Sequence, residues 1–301
     1  MKAGHILLES ACSRWTQYLE LCKPKVVALI SFTALVGMLL AVPSVPPVNA
    51  LIFGNLGIAL SAASAAAFNH YLDRQADARM NRTKARPLPQ GDLNGQQVIV
   101  FASMLGLLSM IILYYLVNPL TALLSFCSLI GYAVIYTMYL KHATPQNIVI
   151  GGAAGAAPPV LGWCAVTASV DAHALLLFAI IFIWTPPHFW ALAIARRDEY
   201  AKVDIPMLPV THGIEFTGLH VVYYTVLLCI VSLLPYLYGM SGLIYLLVAV
   251  VLDAGFLYFV IKLKRIQSNQ IAMQTFGYSI TYLMILFAAL LVDHYWMIFP
   301  I

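Results

Sequence analysis

Residues 51–77 read LIFGNLGIALSAASAAAFNHYLDRQAD, an apolar, alanine-rich stretch that ends in Asn69, Asp73 and Asp77. A helix needs about 20 consecutive apolar residues to cross the hydrocarbon core of a bilayer. The stretch therefore predicts a membrane span over about residues 49–71. The three polar residues are spaced i, i+4 and i+8, so on a continuing helix they lie nearly on one face. The sequence predicts a membrane helix with an acidic face at one membrane surface.

The whole chain has the composition of a membrane protein. Of its 301 residues, 62% are hydrophobic and 9% are charged, whereas soluble domains carry about 25% charged residues. The net charge of +4 is small, and we expect no nucleic-acid partner. Long apolar runs recur, so we predict an all-α, multi-pass transmembrane bundle of about nine spans. The predicted spans cover about residues 25–42, 49–71, 98–117, 120–140, 146–167, 172–195, 217–238, 241–261 and 273–292.

The distribution of positive charge predicts the orientation. With nine spans and the N-terminus inside, all 16 Lys and Arg residues fall on the cytoplasmic side. Positive residues concentrate in cytoplasmic loops. We therefore expect the two long charged loops, at about 72–97 and 196–216, to be cytoplasmic and the C-terminus to lie outside.

The first 23 residues precede the first span and carry no continuous apolar run. Trp15, Tyr18, Leu19 and Cys22 are spaced i, i+3, i+4 and i+7, which predicts a cytoplasmic amphipathic helix on the membrane surface over part of residues 1–23. No segment outside the spans is long enough to fold alone, so the whole chain, 1–301, is interpreted as one domain.

The acidic face at the end of the second span has the chemistry of a magnesium site. Mg²⁺ prefers oxygen ligands and is often held by one or two carboxylates, with water and substrate phosphates completing its shell. Asn69, Asp73 and Asp77 supply such oxygens. Cations that suit a diphosphate follow directly; they are Arg79, Arg82, Lys84 and Arg86. The alternative is a basic cytoplasmic loop that forms salt bridges to the two aspartates.

A second acidic loop follows the sixth span, where residues 196–209 read RRDEYAKVDIPMLP. Asp198 and Asp204 are candidate ligands of a second metal, and Arg197 and Lys202 are candidate diphosphate contacts. Two such loops on one face can close over a single diphosphate. Ordinary charge patterning of a loop is the alternative. Lys141, at the cytoplasmic edge of the fourth span, is a further candidate for a polar contact in the site.

The sixth span contains WTPPHFWALA at 184–193, in which Pro186 and Pro187 predict a kink beside His188. A histidine within a span is rare and usually faces the interior of the bundle. It is either a satisfied core histidine or a side chain that binds or positions haem, with Trp184 beside it.

Together, these motifs resemble the UbiA superfamily of intramembrane prenyltransferases over about residues 20–292. The resemblance to the superfamily rests on NHYLDRQAD at 69–77 and on the second acidic loop. Three further stretches resemble the members that farnesylate haem: YTMYLKHATPQNIVIGGAAGAAPPVLGW at 136–163, WTPPHFWALAI at 184–194 and DIPMLPV at 204–210.

The resemblance implies a helical bundle around a central cavity that opens toward the cytoplasmic side. It implies transfer of the farnesyl group of farnesyl diphosphate to a vinyl group of haem B, with haem O and diphosphate as products. Mg²⁺ is the implied cofactor, and haem B is a substrate. The implied setting is the bacterial plasma (inner) membrane, with a haem A synthase or a terminal oxidase assembly as a partner.

The resemblance also implies roles for individual residues. Asn69, Asp73 and Asp77 match the first aspartate motif. Asp198 and Asp204 match the second acidic region, although they are six residues apart where the superfamily usually has D-x-x-x-D. The residues expected to be catalytic are Asp73, Asp77, Lys141 and Asp198.

Two other functions remain open at this point. One is a UbiA-type transferase that acts on an aromatic acceptor such as a quinone precursor. The other is a secondary transporter, which also uses proline and glycine breaks and intramembrane ionisable residues. A transporter more naturally has its polar site near the midplane, whereas these acidic residues cluster at the cytoplasmic ends of helices.

Overall fold

The computed structural model describes residues 14–298, where the chain is mostly helical and has no β-strand. Ten main helices carry the fold in this range. They are α1 Arg14–Leu21, α2 Pro24–Leu40, α3 Ala50–Arg79, α4 Gly95–Leu116, α5 Pro119–Ala143, α6 Asn147–Thr167, α7 Ala172–Ala195, α8 Gly213–Leu237, α9 Leu243–Ile266 and α10 Asn269–Ile298.

The predicted all-α, multi-pass bundle is confirmed within residues 14–298, where the structure has eight or nine candidate spans. Eight helices, α3 to α10, are each long and apolar enough to cross a bilayer. The helices α1 and α2 meet at a bend of 49° and make a ninth candidate span when the bent pair is counted as one. Pro24 causes the bend, because it lacks a backbone N–H and disfavours a helical conformation at the preceding residue. Lys23, the residue before this proline, has a left-handed backbone conformation with φ 50°.

All Lys and Arg residues of the described chain lie at one end of the bundle, which we call the charged face. The helices α3, α5, α7 and α9 end there, and the next helix begins there in each case. The two long loops at this face contain short helices at Pro87–Gln90, Arg197–Ala201 and Leu208–Thr211. The charged face therefore holds most of the structure outside the spans.

The helix α1 packs against the bundle through Tyr18 and Leu21. The Tyr18 ring lies 4.8 Å from the ring of Phe101 on α4, and Leu21 is fully buried. Trp15 and Leu19 are exposed, so the predicted apolar face is divided between the bundle and the surroundings. The part of the predicted surface helix before residue 14 lies outside the described residues, and its contact with a membrane stays a prediction.

Two glycines let α2 and α6 cross at close range. A Cβ atom at Gly37 would overlap the carbonyl of Pro159, and one at Gly162 would overlap the carbonyl of Ala34. Small residues allow membrane helices to approach in this way. The crossing holds α2 in place and, with it, the bend at Lys23.

The helices α3 and α7, which carry the predicted motifs, pack against different helices of the bundle. The helix α3 packs against α4 and also contacts α2 and the inner half of α5. The helix α7 packs against α6, α8 and α10, in a core that includes Trp190, Tyr245 and Tyr282. Both α3 and α7 end at the charged face, so their motifs approach it from the same side of the membrane.

Candidate active site

The polar face of α3 is buried although it lies close to the end of the helix. Asn69, Asp73 and Asp77 are only 5%, 6% and 4% exposed. The side-chain amide of Asn69 donates a hydrogen bond from Nδ2 to Oδ2 of Asp73 at 2.7 Å. The i, i+4, i+8 spacing thus places these groups on one interior face, as predicted.

Both carboxylates of this face are paired with cations from other parts of the chain. Nζ of Lys141, at the end of α5, lies 2.6 Å from Oδ2 of Asp73. The Arg86 guanidinium, from the loop after α3, donates to Oδ2 of Asp77 at 2.6 Å. In each carboxylate the other oxygen, Oδ1, has no partner among residues 14–298. Since the desolvation of buried ion pairs offsets much of their attraction, these two pairs contribute little net stability to the fold.

A third cation reaches the same face from the bend between α1 and α2. Nζ of Lys23 donates a hydrogen bond to Oδ1 of Asn69 at 2.5 Å. The Asn69 side chain is thereby fixed, with its oxygen toward the lysine and its nitrogen toward Asp73. We call the six residues together the acidic cluster: Lys23, Asn69, Asp73, Asp77, Arg86 and Lys141.

Only one residue of the predicted basic run contacts the acidic cluster. The chain turns back after α3, where the Thr83 hydroxyl donates to the backbone carbonyl of Asp77 at 3.0 Å. This turn brings the Arg86 side chain back to Asp77. The other three basic residues are exposed; they are Arg79, Arg82 and Lys84.

The inner half of α5 lines the cluster through a stretch of π-helix at Gly131–Leu140. The Thr137 hydroxyl donates to the carbonyl of Tyr132 at 2.8 Å and accepts from Nδ2 of Asn69 at 3.3 Å. The rings of Tyr132 and Tyr136 stack with their centroids 5.4 Å apart. Wide turns of this kind occur frequently at functional sites.

The second acidic loop does not bring its aspartates to the acidic cluster. Asp198 and Asp204 are exposed, and their side chains have no hydrogen bond or ion pair with the described residues. The cause is local: α7 ends at Ala195, and the chain restarts in the short helix Arg197–Ala201, so the acids do not continue along the face of α7. The predicted cations of this loop, Arg197 and Lys202, are also exposed.

The second loop reaches the first through Tyr200 and apolar residues. Burial raises the pKa of the Tyr200 hydroxyl, and the nearby Arg82 guanidinium opposes that shift. Met80, at the end of α3, belongs to the same apolar core as Val203 and Ile205. The two loops therefore meet beside the acidic cluster without sharing an ion pair.

The predicted haem residues form a separate aromatic site on α7. His188 is 7% exposed and Trp184 is 5% exposed, and their rings stack with centroids 4.1 Å apart. On its other face the His188 ring stacks on Phe276 of α10 at 4.5 Å. His188 lies seven residues before the end of α7, about 10 Å along the helix, at a depth similar to that of Asp73 on α3.

No protein-only metal cage is present in residues 14–298. No group of three or more His, Cys, Asp or Glu side chains is arranged there to hold a metal ion. Asp73 and Asp77 together offer two free carboxylate oxygens, so an ion at this site needs further ligands from water or substrate.

Three residues that contact or border the site were absent from the predicted set. Lys23 was assigned only to the cytoplasmic segment, although its place at the inner edge of a span matches that of Lys141. Thr137 and Tyr200 lie within the motifs, but nothing in the sequence marks them as site residues, because hydroxyl groups are common in both loops and spans. Only the packing of α5 and of the second loop reveals them.

The chain matches the model of the UbiA prenyltransferase family over residues 30–296. It is 64% identical to the protoheme IX farnesyltransferase of Methylococcus capsulatus, over 93% of this chain and 94% of that protein. It is 61% identical to the enzyme of the same name from Nitrosococcus oceani, over 96% and 97% of the two chains.

Solved structures share the fold at low sequence identity. A digeranylgeranylglyceryl phosphate synthase aligns with a TM-score of 0.78 and 18% identity, over 94% of this chain and 99% of that one. A UbiA homologue from Archaeoglobus fulgidus, bound to DMAPP and Mg²⁺, aligns with a TM-score of 0.60 and 16% identity, over 91% and 99%.

Proposed function

Because the chain belongs to the UbiA prenyltransferase family, we propose that it transfers the farnesyl group of farnesyl diphosphate to a vinyl group of haem B, giving haem O and diphosphate. Relatives with that name align with nearly the whole chain at 61% and 64% identity. The observation that carries the proposal is the convergence of two buried carboxylates and three cations in the acidic cluster.

The reaction breaks the bond between C1 of the farnesyl group and the diphosphate oxygen, and the electron pair leaves with the diphosphate. The vinyl group then attacks C1, and water adds to the resulting cation and loses a proton, which leaves a hydroxyl group on the product. Lys23, Arg86 and Lys141 are suited to stabilise the negative charge that develops on the departing diphosphate. Their positions are set in advance by Asn69, Asp77 and Asp73.

The acidic cluster fits Mg²⁺ by its donor chemistry. Asp73 and Asp77 each keep one carboxylate oxygen without a partner, and Mg²⁺ is commonly held by one or two carboxylates with the rest of its shell from water and phosphate. Asp73, Asp77 and Asn69 would hold the ion, Asn69 only if its oxygen leaves Lys23. When bound, Mg²⁺ would neutralise charge on the diphosphate.

The aromatic residues near the cluster suit the rest of the substrates. Tyr132 and Tyr136 stack on the same π-helical stretch that places Thr137 against Asn69. Aromatic faces stabilise cations and exclude water, which protects an allylic cation from early hydrolysis. We assign the haem acceptor to the side of His188 and Trp184.

The remaining predicted contacts require a rearrangement of the two loops. Asp198 and Asp204 are proposed to approach the substrate-bound metal, and Asp198 to take part in catalysis, when the second loop closes. The exposed cations at the charged face are proposed to contact diphosphate in that closed state; these are Arg79, Arg82, Lys84, Arg197 and Lys202.

The protein is a multi-pass membrane protein, and we assign it to the bacterial plasma membrane. The charged face is proposed to be cytoplasmic, because positive residues are retained on that side. We propose that the chain acts as one domain, 1–301, and that a haem A synthase or a terminal oxidase assembly receives the haem O.

One assay separates the proposal from its alternatives. Purified protein in detergent is incubated with haem B, farnesyl diphosphate and Mg²⁺, and haem O is measured by mass together with free diphosphate. Both products are expected to appear in equal amounts. Transfer to a quinone precursor in place of haem would favour the other prenyltransferase function. No diphosphate release with either acceptor would favour a transporter.

A further inference from the structure

The His188 ring is held in one orientation by its neighbours. It is stacked between Trp184 and Phe276, and the Phe189 ring approaches its edge at 5.0 Å. The preceding Pro186 and Pro187 lack backbone N–H groups, so this turn of α7 loses two hydrogen bonds of the helix. Contacts from a neighbouring helix can then help to fix the position of this turn.

Ser279 of α10 provides those contacts. Its backbone carbonyl accepts a hydrogen bond from Nε1 of Trp184 at 2.8 Å. Its hydroxyl oxygen lies 2.6 Å from Nδ1 of His188. One serine thus contacts two α7 side chains that are one helical turn apart.

The direction of the bond between Ser279 and His188 follows from the one hydrogen of a hydroxyl group. Oγ of Ser279 also lies 2.6 Å from the backbone carbonyl of Phe276, to which it donates. When the hydroxyl donates its one hydrogen to this carbonyl, it has none left for His188. Oγ then accepts from His188, which places the ring proton on Nδ1 and the lone pair on Nε2.

The free Nε2 has no hydrogen-bond partner among residues 14–298. A neutral imidazole binds iron through the nitrogen that carries the lone pair, and the other ring N–H usually donates to a neighbouring acceptor that fixes the ring. The arrangement of His188 and Ser279 has this form.

We infer that Ser279 is a positioning residue that holds His188 as the Nδ1–H tautomer, with Nε2 directed to the iron of the haem acceptor. This inference rests on the proposed function for the identity of the ligand. The tautomer itself does not depend on that function, and it is measurable without haem.

The first test measures the tautomer. Protein with ¹⁵N-labelled histidine is examined by NMR without haem, and the His188 signals are identified by their loss in His188→Ala. We expect a protonated Nδ1 and an unprotonated Nε2 in the wild type and in Ser279→Thr, which keeps the hydroxyl. We expect a mixture of tautomers in Ser279→Ala. A protonated Nε2 in the wild type would overturn the inference, whatever reaction the protein catalyses.

The second test titrates purified protein with haem B and follows the Soret band. Loss of an outer partner typically weakens metal binding by 10-fold to 100-fold, so we expect Ser279→Ala to raise the Kd for haem about tenfold and to change the Soret band. Ser279→Thr should restore both, and KM for farnesyl diphosphate should stay constant. The control is Ser109→Ala, which removes an equally buried hydroxyl that donates to the Gly57 carbonyl at 2.6 Å.

The outcomes distinguish the role of Ser279 from the proposed function. A normal Soret band and Kd in Ser279→Ala, with both altered in His188→Ala, would overturn the role of Ser279 and leave the proposed function intact. A failure of Ser279→Thr to restore haem binding, with the same loss of thermal stability as in Ser279→Ala, would also overturn it in favour of a structural role. A wild type that makes no haem O would instead count against the proposed function.

Discussion

The inner end of α3 and the loop after α7 both combine aspartates with basic residues, yet they place them differently. Asp73 and Asp77 are buried and paired with cations, whereas Asp198 and Asp204 are exposed and unpaired among residues 14–298. The difference follows from the backbone. The helix α3 continues past the apolar stretch, so its acids stay on an interior face, while α7 ends before its acids begin.

This comparison indicates which charged side chains are already ordered before a substrate binds. The acidic cluster contains three cations from three segments of the chain. The desolvation free energy of these charges is already compensated in the folded protein. Ordering the second loop around a substrate would occur only on binding. We therefore expect substitutions in the first region to have larger effects on catalysis than equivalent substitutions in the second.

The largest effect is expected for Asp73→Asn and Asp77→Asn. Each change keeps the size of the side chain but removes one of the two carboxylates that are proposed to face the metal and the diphosphate. We expect turnover to fall at least about a hundredfold, or about 2.7 kcal/mol of transition-state stabilisation, with partial recovery at high Mg²⁺. The measurement is farnesyl transfer against Mg²⁺ concentration.

The matched control for both variants is Asp92→Asn, an exposed aspartate in the loop after α3. Thermal unfolding in detergent and haem binding show whether each variant is folded. Wild-type turnover with unchanged Mg²⁺ dependence in both cluster variants would remove the chemical basis of the proposed site.

A smaller effect is expected for Lys23→Met, which removes one of the three cations of the cluster and its hydrogen bond to Asn69. We expect KM for farnesyl diphosphate to rise about tenfold, or about 1.4 kcal/mol, because the lost charge is proposed to face the diphosphate. Lys25→Met, at an exposed position two residues later, should match the wild type. Equal kinetics in the two variants would mean that Lys23 has no part in binding the substrate.

The second region should respond least to charge removal. For the double variant Asp198→Asn/Asp204→Asn we expect a loss of about threefold, because these exposed aspartates are proposed to reach the substrate only when the second loop closes. The assay is the same farnesyl transfer at saturating haem. A loss as large as that of Asp73→Asn would contradict the expected order of the two regions.

The topology prediction concerns the side of the membrane on which both regions lie. Reporter fusions after residues 90 and 210, one in each long loop of the charged face, should both report cytoplasm. A fusion after residue 170, in the joint between α6 and α7, should report the outside. Opposite reports from the two long loops would mean that the end of α3 and the loop after α7 do not share a face.

The sequence by itself determined the membrane class, the positions of the spans and the interior face of α3. Apolar length and the spacing of polar residues are properties of a local stretch, because a span must be long enough and its backbone hydrogen bonds must be made within the helix. Asn69, Asp73 and Asp77 were identified in this way. The motifs also carried the resemblance to the UbiA superfamily, which the family match supports.

Only the tertiary structure decided which groups those residues meet. Lys23 reaches Asn69 across 46 positions, and Ser279 meets His188 across 91. Such contacts depend on how α2 crosses α6 and how α10 packs on α7, and the side-chain pattern of a single stretch carries no information about its neighbours. The exposure of Asp198 and Asp204 also became clear only from the structure, in which α7 ends at Ala195. A charge pattern in a loop does not specify the direction in which the chain leaves the preceding helix.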